Sequence, residues 1–219
     1  MVKINLKTLI ALFSVCCFFM PQSVMAQSAE DKKFVEKLYN SLDNIEARDS
    51  IISRLTRILE GNARFHKARF ILAYLLEKKG FENLAIDAYK ICIKQDPENF
   101  QYHYQLLLIA IRSLNNSLIF EELASLKRLS QDDGEKLLRL AFVMDNANYT
   151  SVATGLFEEA VKARKNSKAI AYRIARYKFD QGFYKEARKY LRYEIDKGSR
   201  SKEIETLQKQ ILQRLNETR

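Results

Sequence analysis

The chain has two histidines, His66 and His103, and three cysteines, Cys16, Cys17 and Cys92. From such residues nucleophiles, general bases and zinc sites are usually built. Their spacing here supports none of these. The histidines form no HxxxH or HExxH pair, and no CxxC pattern is present. The six glycines are too scattered for a phosphate-cradling loop. Acidic pairs such as Glu121-Glu122 and Glu158-Glu159 read as solvated helix surface. The inventory predicts no catalytic residue, no metal, no cofactor and no enzyme activity.

Charge is the next candidate for chemistry. The net charge is +10, and it is unevenly spread. Residues 27–161 hold 18 basic and 20 acidic residues, whereas residues 162–219 hold 17 basic and 7 acidic. The densest part is Arg173, Arg176, Lys178, Lys185, Arg188, Lys189 and Arg192, interleaved with tyrosines and phenylalanines. This set is a candidate anion-binding surface. Charged helix faces also arise for solubility alone.

The elements that must position these residues are helices. With 6 Gly and 2 Pro, 47% hydrophobic and 29% charged residues, neither a hairpin-rich β protein nor a disordered chain fits. Residues 66–99 give the clearest unit. Phe70, Ile71, Leu72, Leu75 and Leu76 form a helical pattern closed by Gly80. Leu84, Ala85, Ala88, Tyr89 and Cys92 form a second, closed by Asp96-Pro97. The same 34-residue frame continues without insertion. Residues 134–167 supply Leu140-Ala141, Asn148, Ala153, Phe157 and Ala160. Residues 168–201 supply Ile174-Ala175, Gly182, Tyr184 and Ala187. The unit between, 100–133, is degenerate: Leu114 and Ile119 stand where Gly and Ala are expected, and Asn115-Asn116 is expected to make its turn.

This pattern resembles the tetratricopeptide (TPR) repeat, a pair of antiparallel helices. The places it shares are those of Leu72, Ala73, Gly80, Ala85, Tyr89, Cys92 and Pro97. The resemblance implies an all-α fold, a right-handed superhelical solenoid of four repeats (66–99, 100–133, 134–167, 168–201). It puts Cys92 at a small-residue packing place, expected to be a buried structural thiol. It also implies a peptide-binding groove lined by first helices, at Phe70, Tyr74, Tyr104, Leu108, Ile111, Leu138, Phe142, Tyr172, Arg176 and Phe179. A tightly wound array would instead bury these residues as core. The Lys/Asn clamp of chaperone-binding TPR proteins is missing from those places.

The ends read as caps and an address. Residues 27–65 form a diverged helix pair, the first helix opened by Ser28-Ala29-Glu30-Asp31 and carrying Phe34, Val35, Leu38, Leu42 and Ile45. In the second, Ile51, Ile52, Leu55, Ile58 and Leu59 precede Gly61. Residues 202–219 form a capping helix started by Ser201, with Ile204, Leu207, Ile211 and Leu215 on one face. Residues 1–26 combine Lys3 and Lys7, an apolar run, Pro21 and Val24-Met25-Ala26, the plan of a cleaved signal peptide. Cleavage would leave Cys92 as the one thiol and predicts export, most simply to a bacterial periplasm, with secretion, or anchoring in the membrane by an uncleaved signal, as the alternatives. The expected partner is a protein or peptide, in a scaffold of an envelope or secretion complex. The alternative is an anionic membrane or cell-wall polymer held by the basic surface. Nucleic acid is not expected outside the cytoplasm.

Overall fold

The computed structural model describes residues 29–44, 46, 48–163 and 169–217. The segment 1–26, Ser28 and Ile45 lie outside the described residues. Among the described residues there are eleven α-helices and no strand. They are α1 (Ala29–Asn40), α2 (Asp49–Gly61), α3 (His66–Lys78), α4 (Glu82–Gln95), α5 (Phe100–Arg112) and α6 (Asn116–Leu129). There follow α7 (Gly134–Asn146), α8 (Thr150–Lys162), α9 (Ile170–Asp180), α10 (Tyr184–Asp196) and α11 (Lys202–Glu217). Leu42 falls in a 3-10 turn, Leu42–Asn44, after α1 has ended. None of these helices is long and apolar enough to cross a membrane.

The helices fall into two compact units, one ending at Leu126 and the other starting at Lys127, so the division lies inside α6. It coincides with no boundary of the repeat frame. In the first unit α3 packs on α4, α4 on α5, and both α1 and α2 pack on α3. In the second, α7 pairs with α8, α9 with α10, and α11 covers α10. Within each unit the helices thus pack mainly on their neighbours in sequence.

The periodicity is written in the backbone. Second helices start at residues 82, 116, 150 and 184, spaced by 34. Positive φ recurs in the same frame, at Gly80 (81°), Leu114 (53°), Asn148 (66°) and Gly182 (83°). Each of these residues ends a helix in a Schellman turn. The following amide donates to a carbonyl five residues back: Phe81 to Leu76, Asn115 to Ala110, Tyr149 to Met144 and Phe183 to Lys178, all at 2.9 Å. The degenerate repeat keeps this turn. Leu114 itself takes the left-handed position expected of Asn115-Asn116, and Asn115 Oδ1 instead accepts the Leu118 amide at 3.2 Å.

Small residues at the twentieth place of the frame let the paired helices approach. Ala85, Ala153 and Ala187 are fully buried there, and so is the larger Ile119. At the other end Ser201 Oγ accepts the Ile204 amide at 3.4 Å, starting α11. Its Ile204, Leu207 and Ile211 are buried, so this helix closes the second unit.

Candidate functional site

The residues named for a groove separate by burial. Phe70 has no exposed surface; its ring packs on Tyr39, Tyr89 and Tyr102 at 5.8, 5.6 and 4.9 Å. Tyr104 is buried with its ring stacked on Phe100, and Leu138 is buried in the second unit. These three belong to the core, because helix packing covers the place at which a ligand would have to reach them. Tyr74, Leu108 and Ile111 in the first unit, and Phe142, Tyr172 and Phe179 in the second, are half-buried. Phe142 lies 4.7 Å from the Tyr177 ring and 5.5 Å from Phe157, while Lys78 sits 4.7 Å over Tyr74. Arg176 is exposed, pairs with Asp180 at 3.2 Å and covers the Phe179 ring.

The residues with catalytic potential are used inside the fold. Cys92 is buried and donates to the His66 carbonyl at 3.5 Å; burial pushes its thiol up to about 12. It therefore stays protonated and unreactive near neutral pH. His66 Nδ1 lies 2.6 Å from the Tyr102 hydroxyl. His103 is buried between Pro97, whose carbonyl is 3.0 Å from Nε2, and Glu122, whose Oε2 is 2.6 Å from Nδ1. A carbonyl accepts only, so Nε2 carries a hydrogen. Nδ1 faces the Glu122 carboxyl. Among the described residues no group of three or more His, Cys, Asp or Glu is placed to hold a metal ion.

Sequence reasoning missed the buried polar set. Arg69, at the same frame place as His103, sends Nη2 to the Ala63 carbonyl at 2.8 Å, and its buried Nε has no partner. Lys178, counted among the basic surface residues, is 1% exposed. Its ammonium pairs with Asp145 at 2.8 Å and lies 5.2 Å from the Phe157 and Phe183 rings. It belongs to the core and not to the surface. The one available signal was its frame: Leu76, Ala110 and Met144 occupy the equivalent places of the preceding repeats.

The other basic candidates lie at the surface and differ in what they hold. Arg173 grips Glu135 with Nη1 at 2.6 and 2.8 Å from its two oxygens. Lys189 pairs with Glu158 at 2.7 Å; that hydrogen bond raises the lysine and lowers the carboxylate from their ordinary values. Lys185, Arg188 and Arg192 have no ion-pair partner among the described residues. With Lys189 they form one stripe on α10, three and four residues apart. The stripe and Tyr193 and Asp196 line a depression of about 360 Å³. A second, of about 230 Å³, runs between α10 and α11.

No protein-family model matches the chain, and no curated protein does. Solved structures do. MamA is 16% identical over 83% of this chain and 96% of its own, with a TM-score of 0.50. The MamA RS-1 ArsTM double mutant is 12% identical over 84% of this chain and 98% of its own, with a TM-score of 0.54. YrrB, described as a TPR protein with an unusual peptide-binding site, is 16% identical over 78% of this chain and 93% of its own, at 0.48. With its 34-residue turns and paired helices, and with MamA, itself a TPR protein, as its structural likeness, the chain has the TPR fold.

Proposed function

We propose that the chain is a non-enzymatic binding scaffold that holds a protein or peptide, exported to the cell envelope and acting in an assembly there. The observation that carries this is where the reactive groups go. Cys92, His103, Glu122, Lys178 and Glu194 are all buried in contacts that join one helix to another. What remains outside is a periodic helical surface with half-buried aliphatic and aromatic side chains and unpaired cations, the materials of a protein interface. The export part rests on the sequence of residues 1–26.

The test is crosslinking with mass spectrometry on the full-length protein in the cells that make it, after fractionation. Reproducible crosslinks to one or a few proteins of the envelope fraction are expected. Tyr74→Ala/Ile111→Ala should reduce those that run through the first-helix face. Recovery of the protein in the cytoplasmic fraction would remove the export part. Absence of any protein crosslink would remove the scaffold itself.

A further inference from the structure

The stripe on α10 is an unusual thing to leave on a helix. Arg188 and Arg192 are one turn apart, as are Lys185 and Lys189, and like charges at that spacing repel. Lys189 is neutralised by Glu158, but the other three keep their charge uncompensated among the described residues. Other exposed cations of this unit are paired, Arg173 with Glu135, Arg176 with Asp180 and Lys127 with Glu159, whereas on α10 three of the four in one stripe are not. Arg188 and Arg192 also border both depressions. The furrow between α10 and α11 joins Arg188, Arg192 and Gln208 to four aliphatic residues. Leu191 and Ile211 are buried in it, Ile195 is half-buried, and Leu212 is 41% exposed.

We propose that this face docks an acidic, amphipathic segment of a partner protein. Carboxylates pair with Arg188 and Arg192, and an aliphatic side chain enters the furrow beside Leu212. Guanidinium groups take carboxylates through two parallel hydrogen bonds, and arginine beside an apolar pocket is the usual composition of an interface hot spot. A lipid surface or an anionic polymer would use the charge and leave the furrow empty. A polypeptide with acids flanking an aliphatic residue uses both. The proposal rests on the scaffold reading and moves the contact from the first-helix face to the last second helix.

In the experiment a photocrosslinking amino acid replaces Gln208, which lines the furrow, or, in a separate chain, Tyr74. Both full-length chains are irradiated in the cells that make the protein. From position 208 the adduct should be a polypeptide segment with more Asp and Glu than Lys and Arg, and with an aliphatic residue among them. A synthetic peptide of that segment should bind the purified chain. Arg188→Glu/Arg192→Glu and, separately, Leu212→Asp should each weaken it at least about tenfold. Lys32→Glu/Lys33→Glu, an equal charge change on α1, should leave it unchanged, and added salt should weaken it. A neutral or basic segment, or a lipid or glycan adduct at 208, overturns the proposal. So does peptide binding indifferent to charge reversal and to Leu212→Asp. Adducts from position 74 without any from 208 overturn the docking face and leave the scaffold standing. Adducts from neither overturn both.

Discussion

The two units join their repeats with opposite chemistry. In the first, the fourth place of the frame is a buried cation or proton-bearing ring. Arg69 and His103 each reach back six residues to a turn carbonyl, of Ala63 and Pro97. In the second, that place is apolar, Leu137 and Ala171, and the work passes to carboxylates. Asp133 accepts the Lys136 amide at 3.1 Å, and the buried Glu194 accepts the Ala171 amide at 3.2 Å and the Ser199 hydroxyl at 3.1 Å. Carboxylates suit the positive end of a helix dipole; a cation in the first turn does not. The first unit therefore relies on the carbonyl bond to offset an unfavourable placement. The second has both terms in its favour and places its buried lysine near the far end of α9 instead. One fold thus tolerates either sign at its joints, although in the first unit the buried Nε of Arg69 stays without a partner.

The largest break should come from the second unit. Lys178→Met leaves the Asp145 carboxylate, 6% exposed, without its close cation. Removing one member of a buried pair costs about 3–5 kcal/mol. Lys178→Met/Asp145→Leu should recover most of that loss, since two apolar residues fill the site without charge. Urea unfolding of the two variants measures both steps. A single-variant loss under about 1 kcal/mol would show that the pair does not hold α7 to α9.

In the first unit the matching break is His103→Leu. It strips the Pro97 carbonyl and the buried Glu122 of their partner at once. The expected loss is about 2–3 kcal/mol, read by the same unfolding. Hydrogen exchange should rise first in the turn between α4 and α5 and in α6. Comparable exchange in α9 and α10 would contradict the division between the units.

This contrast bears on what could be read from residues alone. The fold was legible because Gly80, Asn148 and Gly182, and likewise Ala85, Ala153 and Ala187, fall at the same places of one 34-residue frame, and each has a backbone or packing reason to be there. The joints were not legible. Arg69, His103, Lys178 and Glu194 are surface-type residues, and periodicity does not say which charged side chain turns inward. The candidate groove was legible as a set of places but not as a surface. Phe70, Tyr104 and Leu138 are apolar enough for either role, and the neighbouring rings and helices decide for the core. The α10 stripe was visible as charge. Its furrow depends on how α11 lies, which no local pattern states.

Buried titrating groups sharpen the comparison by pH. The Cys92 thiol, raised from 9.0 to about 12 by burial, keeps its proton in the folded chain. Tyr89 and Tyr102 beside it are also raised, first by burial. Above pH 9.0 the unfolded thiol ionises while the folded one does not, so the folded state binds more protons and stability falls as pH rises. Below that pH the contribution is complete; it is lost progressively towards about 12. The thiol accounts for about 1 kcal/mol between about pH 9 and pH 10. Cys92→Ala, compared with the parent over that interval, should lower stability at both pH values and flatten the slope. An unchanged slope would mean that the thiol is not shielded as its surroundings require.

The smallest effect concerns the turn that all four repeats share. Leu114 holds φ at 53° where Gly80 and Gly182 hold 81° and 83°. A residue with a Cβ pays about 1–2 kcal/mol to sit there, and glycine does not. Glycine brings extra freedom to the unfolded chain, about 0.5–1 kcal/mol in the other direction. Leu114 is 80% exposed, so little packing is lost with its side chain. Leu114→Gly should therefore stabilise the first unit by about 0.5 kcal/mol. Gly182→Ala should destabilise the second by about 1 kcal/mol. A Cβ at residue 182 would meet nothing within 4 Å, so the cost there is conformational and not a clash. Opposite signs at two places 68 residues apart would show that the degenerate repeat keeps the frame against its own sequence. Equal signs would mean that Leu114 is held by contacts its exposure does not reveal.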